Sequence, residues 1–490
     1  MRKSLTYLLI AISSFSSMTG HSQTHDEKLV NAMNSGNWFA LDSIYNAAPK
    51  DSVMPFIEVF SRCLIGNRLN RPHVSVNAFA ELFTDHSASL GIENLLSSTI
   101  MYSTDLSRIG RNGMAAAHTK AVLDATRQYL DPTWTESLED CISKYNALSD
   151  YKPYGITFTE QSGRIPFRIV PVGEEKLGSV LMRLENSSIN GNDADITFDT
   201  GAGVNMISDS LAKKFNLIPI DGHATVAGIG KRKGQYAIAR EVRIGNITVS
   251  DVPFVIMDFK TGNAKADQYT DWFSILLGSE LMLQLKDMTI DFINREITVA
   301  PVAPERSNAT PNMCFGAGMN LNVSGNIAGT PVLMNIDTGD AAYGTLGHLF
   351  YIANKTFIEA NAEPDTIRRA GIGGVLESLC YRLPDVPVSM GGHTLEVPGL
   401  AVSTSQSTAA MDLSCNIGIR TLMMFGRVRF NMVDFVMTTD PQGSTLFNNM
   451  SYKYPDFKLP KEKKPSALET TGFIAVEVLK ALIDNNVIHY

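Results

Sequence analysis

The sequence predicts a multidomain protein of α and β elements, an N-terminal all-α region followed by an all-β region built in two parts. Three observations carry that prediction. From about residue 25 to 148, apolar residues recur at helical spacing. From about 160 to 440, short β-branched and aliphatic runs alternate with Gly, Asn and Pro turns. Within that second stretch, a set of four landmarks occurs twice in the same order.

A chain of 490 residues is too long for one hydrophobic core, so about two to four domains are expected. With 44% hydrophobic and 19% charged residues, the composition is that of an ordinary globular protein. The net charge of −8 leaves no basic excess to neutralise phosphates, which argues against nucleic acid as a partner. The basic cluster Lys461 to Lys464 is interrupted by Glu462 and reads as solvated linker.

The first 22 residues have the form of an export signal: positive Met1-Arg2-Lys3, apolar Leu5 to Ile12, and Gly20-His21-Ser22 as a small-x-small cleavage site. The apolar stretch is too short to span a bilayer, and no other stretch approaches spanning length. The expectation is an exported protein, periplasmic or extracellular, with no integral membrane segment after signal cleavage; a buried N-terminal helix is the alternative. Cys63, Cys141, Cys314, Cys380 and Cys415 are odd in number and widely spaced. Cys63–Cys141 or Cys380–Cys415 bridges and free thiols all fit that spacing. No pair has zinc-site spacing and no His-Glu-x-x-His occurs, so neither a metal nor another cofactor is expected.

Residues 24–150 form the predicted helical domain. Leu29, Met33, Trp38, Leu41 and Ile44 keep helical spacing, as do Ile57, Phe60, Leu64 and Ala116 to Leu123. Ser35-Gly36, Pro49-Lys50-Asp51 and Asn70-Arg71-Pro72 cut the region into short antiparallel helices. A helical-repeat module that docks a protein partner, a pro-segment over an active site, and a packed domain with no chemistry of its own all fit. Past Asp150-Tyr151-Lys152-Pro153 the texture turns to β, and the Pro-rich connector Pro301, Pro304 to Pro311 splits it into residues 160–300 and 312–440. In the remainder, 441–490, a linker precedes a capping box at Ser466 and Glu469 that should start a C-terminal helix reaching about Asp484.

The internal repeat is the most informative feature. Asp199-Thr200-Gly201 is followed by Ala227-Gly228-Ile229-Gly230, by Val242-Arg243-Ile244-Gly245 with Val252-Pro253, and by Leu276-Leu277-Gly278. Asp337-Thr338-Gly339 is followed by Ala370-Gly371-Ile372-Gly373, by Val388-Ser389-Met390-Gly391 with Val397-Pro398, and by Asn416-Ile417-Gly418. Each Asp-Thr-Gly closes a β-branched run, which places a carboxylate at the tip of a turn after a strand. A lone Asp-Thr-Gly is a common turn sequence, but two with the same retinue are not a coincidence of composition. Gly228 to Gly234 fails as a phosphate loop, because Thr225 stands where the first Gly is required and Arg232 where Ser or Thr is. No Gly-x-Ser-x-Gly elbow is present.

These residues resemble the aspartic proteases, particularly the retropepsin-like lobe, with two lobes fused in one chain as in pepsin-like enzymes. The resemblance implies an all-β two-lobed acid-protease fold over residues 160–300 and 312–440, and peptide or protein as substrate. It implies that Asp199 and Asp337 are the catalytic pair, that Thr200 and Thr338 lock the two loops together, and that Gly201 and Gly339 let the backbone pass close to the carboxylates. Gly228, Ile229 and Gly230, with Gly371, Ile372 and Gly373, then belong to flap hairpins over the substrate. Two carboxyls held close cannot both ionise cheaply, so they share a proton and supply base and acid together.

Two departures stand out. Asp340 follows the second Asp-Thr-Gly where the family has Ala, Ser or Thr; it either faces the dyad, raising its pKa or pairing with a basic substrate group, or points outward to cap a turn. Asn416 puts a polar residue first in the second bracing element, which reads as a degraded brace. The leading expectation is an exported aspartic endopeptidase; the other is a catalytically weakened module used for peptide binding or assembly.

Overall fold

The computed structural model describes residues 23–172, 178–228, 230–316, 318–405 and 415–442. The export signal, the C-terminal helix and Ile229 lie outside these residues. The chain divides into two compact units, the first through Asp150 and the second beginning at Tyr151.

In the first unit, the helices are α1 His25–Asn34, α2 Trp38–Ala47, α3 Pro55–Arg68, α4 Pro72–Asp85, α5 Ile92–Arg108, α6 Asn112–Thr126 and α7 Pro132–Ala147. Local chemistry sets their starts. Thr24 and Glu27 form a reciprocal capping box on α1, Asp131 caps α7 at 2.9 Å, and Pro opens α3, α4 and α7, where its missing N–H costs nothing. The turn between α3 and α4 passes through Asn70 at φ 58°, a left-handed conformation that Asn tolerates. Phe60, Phe79, Phe83 and Tyr102 fill the core, each contributing about 1.5–3 kcal/mol by burial. Beside them Asp105 is fully buried, and accepts hydrogen bonds from Ser75 (2.5 Å), Arg108 (2.6 Å) and Asn67 (2.9 Å), which offset its desolvation.

Among the described residues, the second unit is organised around two sheets of 15 and 10 strands. Ten strands position the site. They are β1 Ile196–Phe198, β2 Met206–Ser208, β3 Ile218–Ala227, β4 Lys231–Ile244 and β5 Ile275–Leu277, then β6 Thr330–Asp337, β7 Gly344–Leu346, β8 Glu363–Gly371, β9 Gly374–Leu383 and β10 Cys415–Gly418. The sequence repeat is a repeat of topology. Strand β5 runs parallel to β1 and antiparallel to β2, with Leu276 opposite Thr197 and Leu277 opposite Phe198. Strand β10 runs parallel to β6 and antiparallel to β7, with Asn416 opposite Asn335 and Ile417 opposite Ile336. Parallel strands buried on both faces favour apolar runs, which explains Ile275 to Leu277, while Ile196 to Phe198 carries Thr197 with its hydroxyl bonded to the Trp272 carbonyl at 2.9 Å.

Two details differ from the sequence expectation. The β region is not purely β: His348–Asn361 is a helix that buries Phe350, Tyr351 and Ile358, and shorter helices follow β5 and β10 at Ser279–Gln284 and Ile419–Met424. The last hairpin, Arg427–Asn431 with Val436–Asp440, bridges the two parts, and it keeps backbone bonds at 3.0 Å between Met313 and Phe435 and between Thr439 and Gly391. It pairs with Asp287–Asp291 and so extends the sheet of the first part, where Arg427 and Arg429 meet Asp291 and Asp287 at 2.9 and 2.8 Å. All five cysteines are free thiols, so neither bridge forms. The connector between the two parts is pinned by Ser307, which donates its N–H (2.7 Å) and hydroxyl (2.9 Å) to Asp434.

Candidate active site

The two Asp-Thr-Gly loops meet. Each leaves the end of a buried strand, β1 or β6, and the two interlock through four hydrogen bonds between side chain and backbone. The Thr200 hydroxyl donates to the Ile336 carbonyl at 2.7 Å and accepts from the Thr338 N–H at 3.0 Å. The Thr338 hydroxyl donates to the Phe198 carbonyl at 2.7 Å and accepts from the Thr200 N–H at 3.0 Å. Both threonines are fully buried. Only a side chain with one donor and acceptor on a short stem can complete both rings.

This lock brings Asp199 and Asp337 into hydrogen-bond contact, each over the other loop's glycine. A Cβ on Gly201 would lie 2.4 Å from Asp337 Oδ1, and one on Gly339 would lie 2.5 Å from the Asp199 carboxyl carbon. Both glycines are therefore required by close approach, a stricter demand than turn flexibility. Asp199 Oδ1 accepts from the N–H groups of Gly201 (2.9 Å) and Ala202 (3.2 Å); Asp337 Oδ1 accepts from those of Gly339 and Asp340, both at 3.0 Å.

Electrostatically the pair is uneven. Burial pushes the Asp199 carboxyl up, and its backbone donors only partly offset this. Burial also raises Asp337, and the charges of Asp199 and Asp340 add to it, so Asp337 stands well above the ordinary carboxylate range. The two titrate as a pair.

The two hairpins, β3–β4 and β8–β9, touch at their tips. The Gly230 N–H donates to the Ile372 carbonyl at 3.0 Å, and a Cβ on Gly228 would lie 3.0 Å from that same oxygen. Gly373 turns at φ 88° with its backbone against Gly230. Gly228, Gly230, Gly371, Ile372 and Gly373 are thus gathered at one place, where the two hairpin tips meet.

The structure corrects the reading of Asn416 as a damaged brace. Strand β10 supports β6 in the same register in which β5 supports β1. The Asn416 amide is used: Nδ2 donates to Asp340 Oδ2 at 2.8 Å and to Asp337 Oδ2 at 3.2 Å. Asp340 combines the two alternatives: Oδ1 caps its own turn by accepting from the Ala342 N–H at 3.1 Å, while Oδ2 reaches Asn416 beside the dyad, where the charge of Asp340 helps to raise the pKa of Asp337. Asn320 and Asn335, which hold Asn416 from behind, escaped notice in the sequence. A signal existed, because Asn335 and Asn416 are polar residues inside two runs that otherwise read as buried strand. Among the described residues no group of His, Cys, Asp or Glu is placed to hold a metal ion, and no helix is long and apolar enough to cross a membrane.

Comparison with known proteins agrees with this geometry over part of the chain. Residues 186–281, which carry the first Asp-Thr-Gly, the first hairpin and the Leu276-Leu277-Gly278 brace, match the aspartyl protease family model. No curated protein matches the chain.

Proposed function

We propose that this chain, with an aspartyl protease segment at residues 186–281, is an exported aspartic endopeptidase whose two β parts are the two lobes of one active site. The observation that carries the reading is the reciprocal lock of the two loops through Thr200 and Thr338, which holds Asp199 and Asp337 in contact within one chain. In the proposed reaction a water lies between the carboxyls and the peptide carbonyl. Asp199 takes a proton from that water as its oxygen bonds to the carbonyl carbon, and Asp337 gives its proton to the carbonyl oxygen. The tetrahedral diol then breaks its C–N bond: one diol proton returns to Asp337, and Asp199 gives the captured proton to the leaving amine. Opening of the hairpin gate admits substrate, and closure excludes bulk water.

The weakened-module reading loses its main support once Asn416 is part of the site. Cleavage of a diverse peptide pool, compared among wild type, Asp199→Asn and Asp337→Asn, tests the proposal. Each single variant should lose activity, and the double variant should be little worse, because the two carboxyls act as one unit. Strong cleavage by either single variant refutes the dyad. Export rests on residues 1–22. Sequencing the N-terminus of protein recovered outside the cytoplasm tests it: a start near residue 23 retains the helical unit, a start near 150 makes that unit a pro-segment, and an intact Met1 refutes signal cleavage.

A further inference from the structure

The two loops are alike in backbone and unlike in side chains. Ala202 and Asp340 are equivalent, since each carbonyl accepts from the first N–H past the brace glycine, Ser279 at 2.8 Å and Ile419 at 2.9 Å. The strand registers likewise make Leu276 equivalent to Asn416 and Thr197 to Asn335. The first loop is therefore backed by an apolar Leu276. The second is backed by a directed chain of amides. Asn320 Nδ2 donates to Asn335 Oδ1 at 2.7 Å, Asn335 Nδ2 donates to Asn416 Oδ1 at 2.6 Å, and Asn416 Nδ2 is left to donate forward to Asp340 and Asp337.

The chain fixes which end of the Asn416 amide faces the carboxyls. Its oxygen is committed to Asn335, so its NH₂ must point at the acids. Asp340 accepts on both oxygens, from the Ala342 N–H on one and from Asn416 on the other. Asp337 thus has a carboxylate on each side, Asp199 across the interface and Asp340 on its own loop. The cations on neighbouring elements have partners of their own, and Arg369, on β8, donates to the hydroxyl of Thr345, the residue opposite Asn416, at 2.7 Å. Arg420, after β10, stacks on Tyr343 at 4.4 Å and donates to its hydroxyl and to the Gly178 carbonyl. Arg183, beside β1, is held by Asp195, Thr197 and the Trp272 carbonyl.

We propose that the Asp340 carboxylate, tied beside Asp337 by Asn416, directs the proton shared by the dyad to Asp337 and leaves Asp199 as the base, while Asn416, oriented by Asn335 and Asn320, is a positioning residue whose own donation to Asp337 offsets part of that effect and keeps the proton transferable. The proposal rests on the protease reading for its catalytic consequence, and on the placement of Asp340 beside Asp337, both on the Asn416 amide, for the place of the proton.

The test uses the full chain and the variants Asp340→Ala and Asn416→Leu, which install the first loop's residues in the second. In the pH profile of kcat/KM, Asp340→Ala removes a like charge, so the basic limb should move to lower pH by about one unit. Asn416→Leu removes a donor from Asp337, so the limb should move to higher pH while kcat falls about ten- to a hundredfold with KM little changed. The double variant should place the limb between the two. A merely structural role lowers activity and stability without opposite shifts of the limb, and that result overturns the proposal.

A second readout needs no activity. In the pH dependence of thermal unfolding, Asp337 in the Asp199→Asn variant should titrate higher than Asp199 in the Asp337→Asn variant; the reverse order overturns the assignment of the proton. If the dyad variants still cleave peptide but the unfolding titrations keep the expected order, the protease reading fails and the amide chain stands. If the dyad variants are inactive and neither limb nor titration moves, the amide chain alone is refuted.

Discussion

Replacing Thr200 by Val tests the lock on which the site depends. Valine keeps the shape and loses the hydroxyl, which deletes one donated bond (2.7 Å to the Ile336 carbonyl) and one accepted bond (3.0 Å from the Thr338 N–H). The site is fully buried, so water cannot take over either role. Each orphaned backbone group then costs about 1–3 kcal/mol, or roughly 2–6 kcal/mol for the two. The added methyl group returns about 0.8 kcal/mol, leaving a net loss of about 1–5 kcal/mol. In a unit of this size about 2 °C of Tm goes with each kcal/mol, so the β unit should melt about 2–10 °C lower. Thermal unfolding by near-ultraviolet circular dichroism measures this, with Thr200→Ser as the control that keeps the hydroxyl. Because Thr338 is the counterpart, Thr338→Val should give a matching loss. If Val and Ser at position 200 melt alike, the hydroxyl does not hold the loops and the reasoning fails.

Other outcomes follow from the same geometry. Gly339→Ala sets a methyl group 2.5 Å from the Asp199 carboxyl carbon, so peptide cleavage should fall at least about a hundredfold while circular dichroism stays native; near-normal cleavage would show the loops to be looser than described. Asp337 has a raised folded-state pKa, so its stabilising contribution is fully present below the unfolded value and is lost as pH rises through the folded one. Asp337→Asn should therefore gain stability relative to wild type as pH goes from acid to neutral, and an unchanged difference across melts from pH 3 to 8 would refute this. In the helical unit, His118 is buried between Phe83 and Tyr102 with Nε2 unpartnered, and burial lowers its pKa to about 4. The sign is the opposite: stability is intact above pH 6.5 and declines toward pH 4, by about 3 kcal/mol in all, as the unfolded imidazole takes up a proton that the folded one refuses. His118→Phe should flatten that decline in urea titrations of the full chain, and an unchanged slope would move its cause elsewhere.

Much of this protein was legible before any coordinates. The helical spacing of Leu29, Met33 and Leu41 and the β-branched runs around Ile196 and Ile336 are local patterns, and local patterns report secondary structure and burial directly. The repeat of Asp-Thr-Gly with its later glycines identified the loops, because the short distances at Gly201 and Gly339 tolerate no other residue. The helix at His348–Asn361 went unread because Phe350, Tyr351 and Ile358 bury a stripe within a segment surrounded by strand-like runs. The last hairpin was assigned to its sequence neighbours, yet its partner, Asp287–Asp291, lies far back in the chain. Asn416 was misjudged for the same reason. A polar residue in an apolar strand looks like damage until its neighbours in space are known, and Asn335, Asn320 and Asp340 come from separate segments. By itself the sequence determined which residues sit in strands, which turns demand glycine, and which carboxyls end in matching loops. Only the tertiary structure decided that the loops interlock, that the hairpin tips meet, and that an amide chain ends on Asp340 and Asp337, because hydrogen-bond partners and their direction depend on residues that the chain keeps far apart.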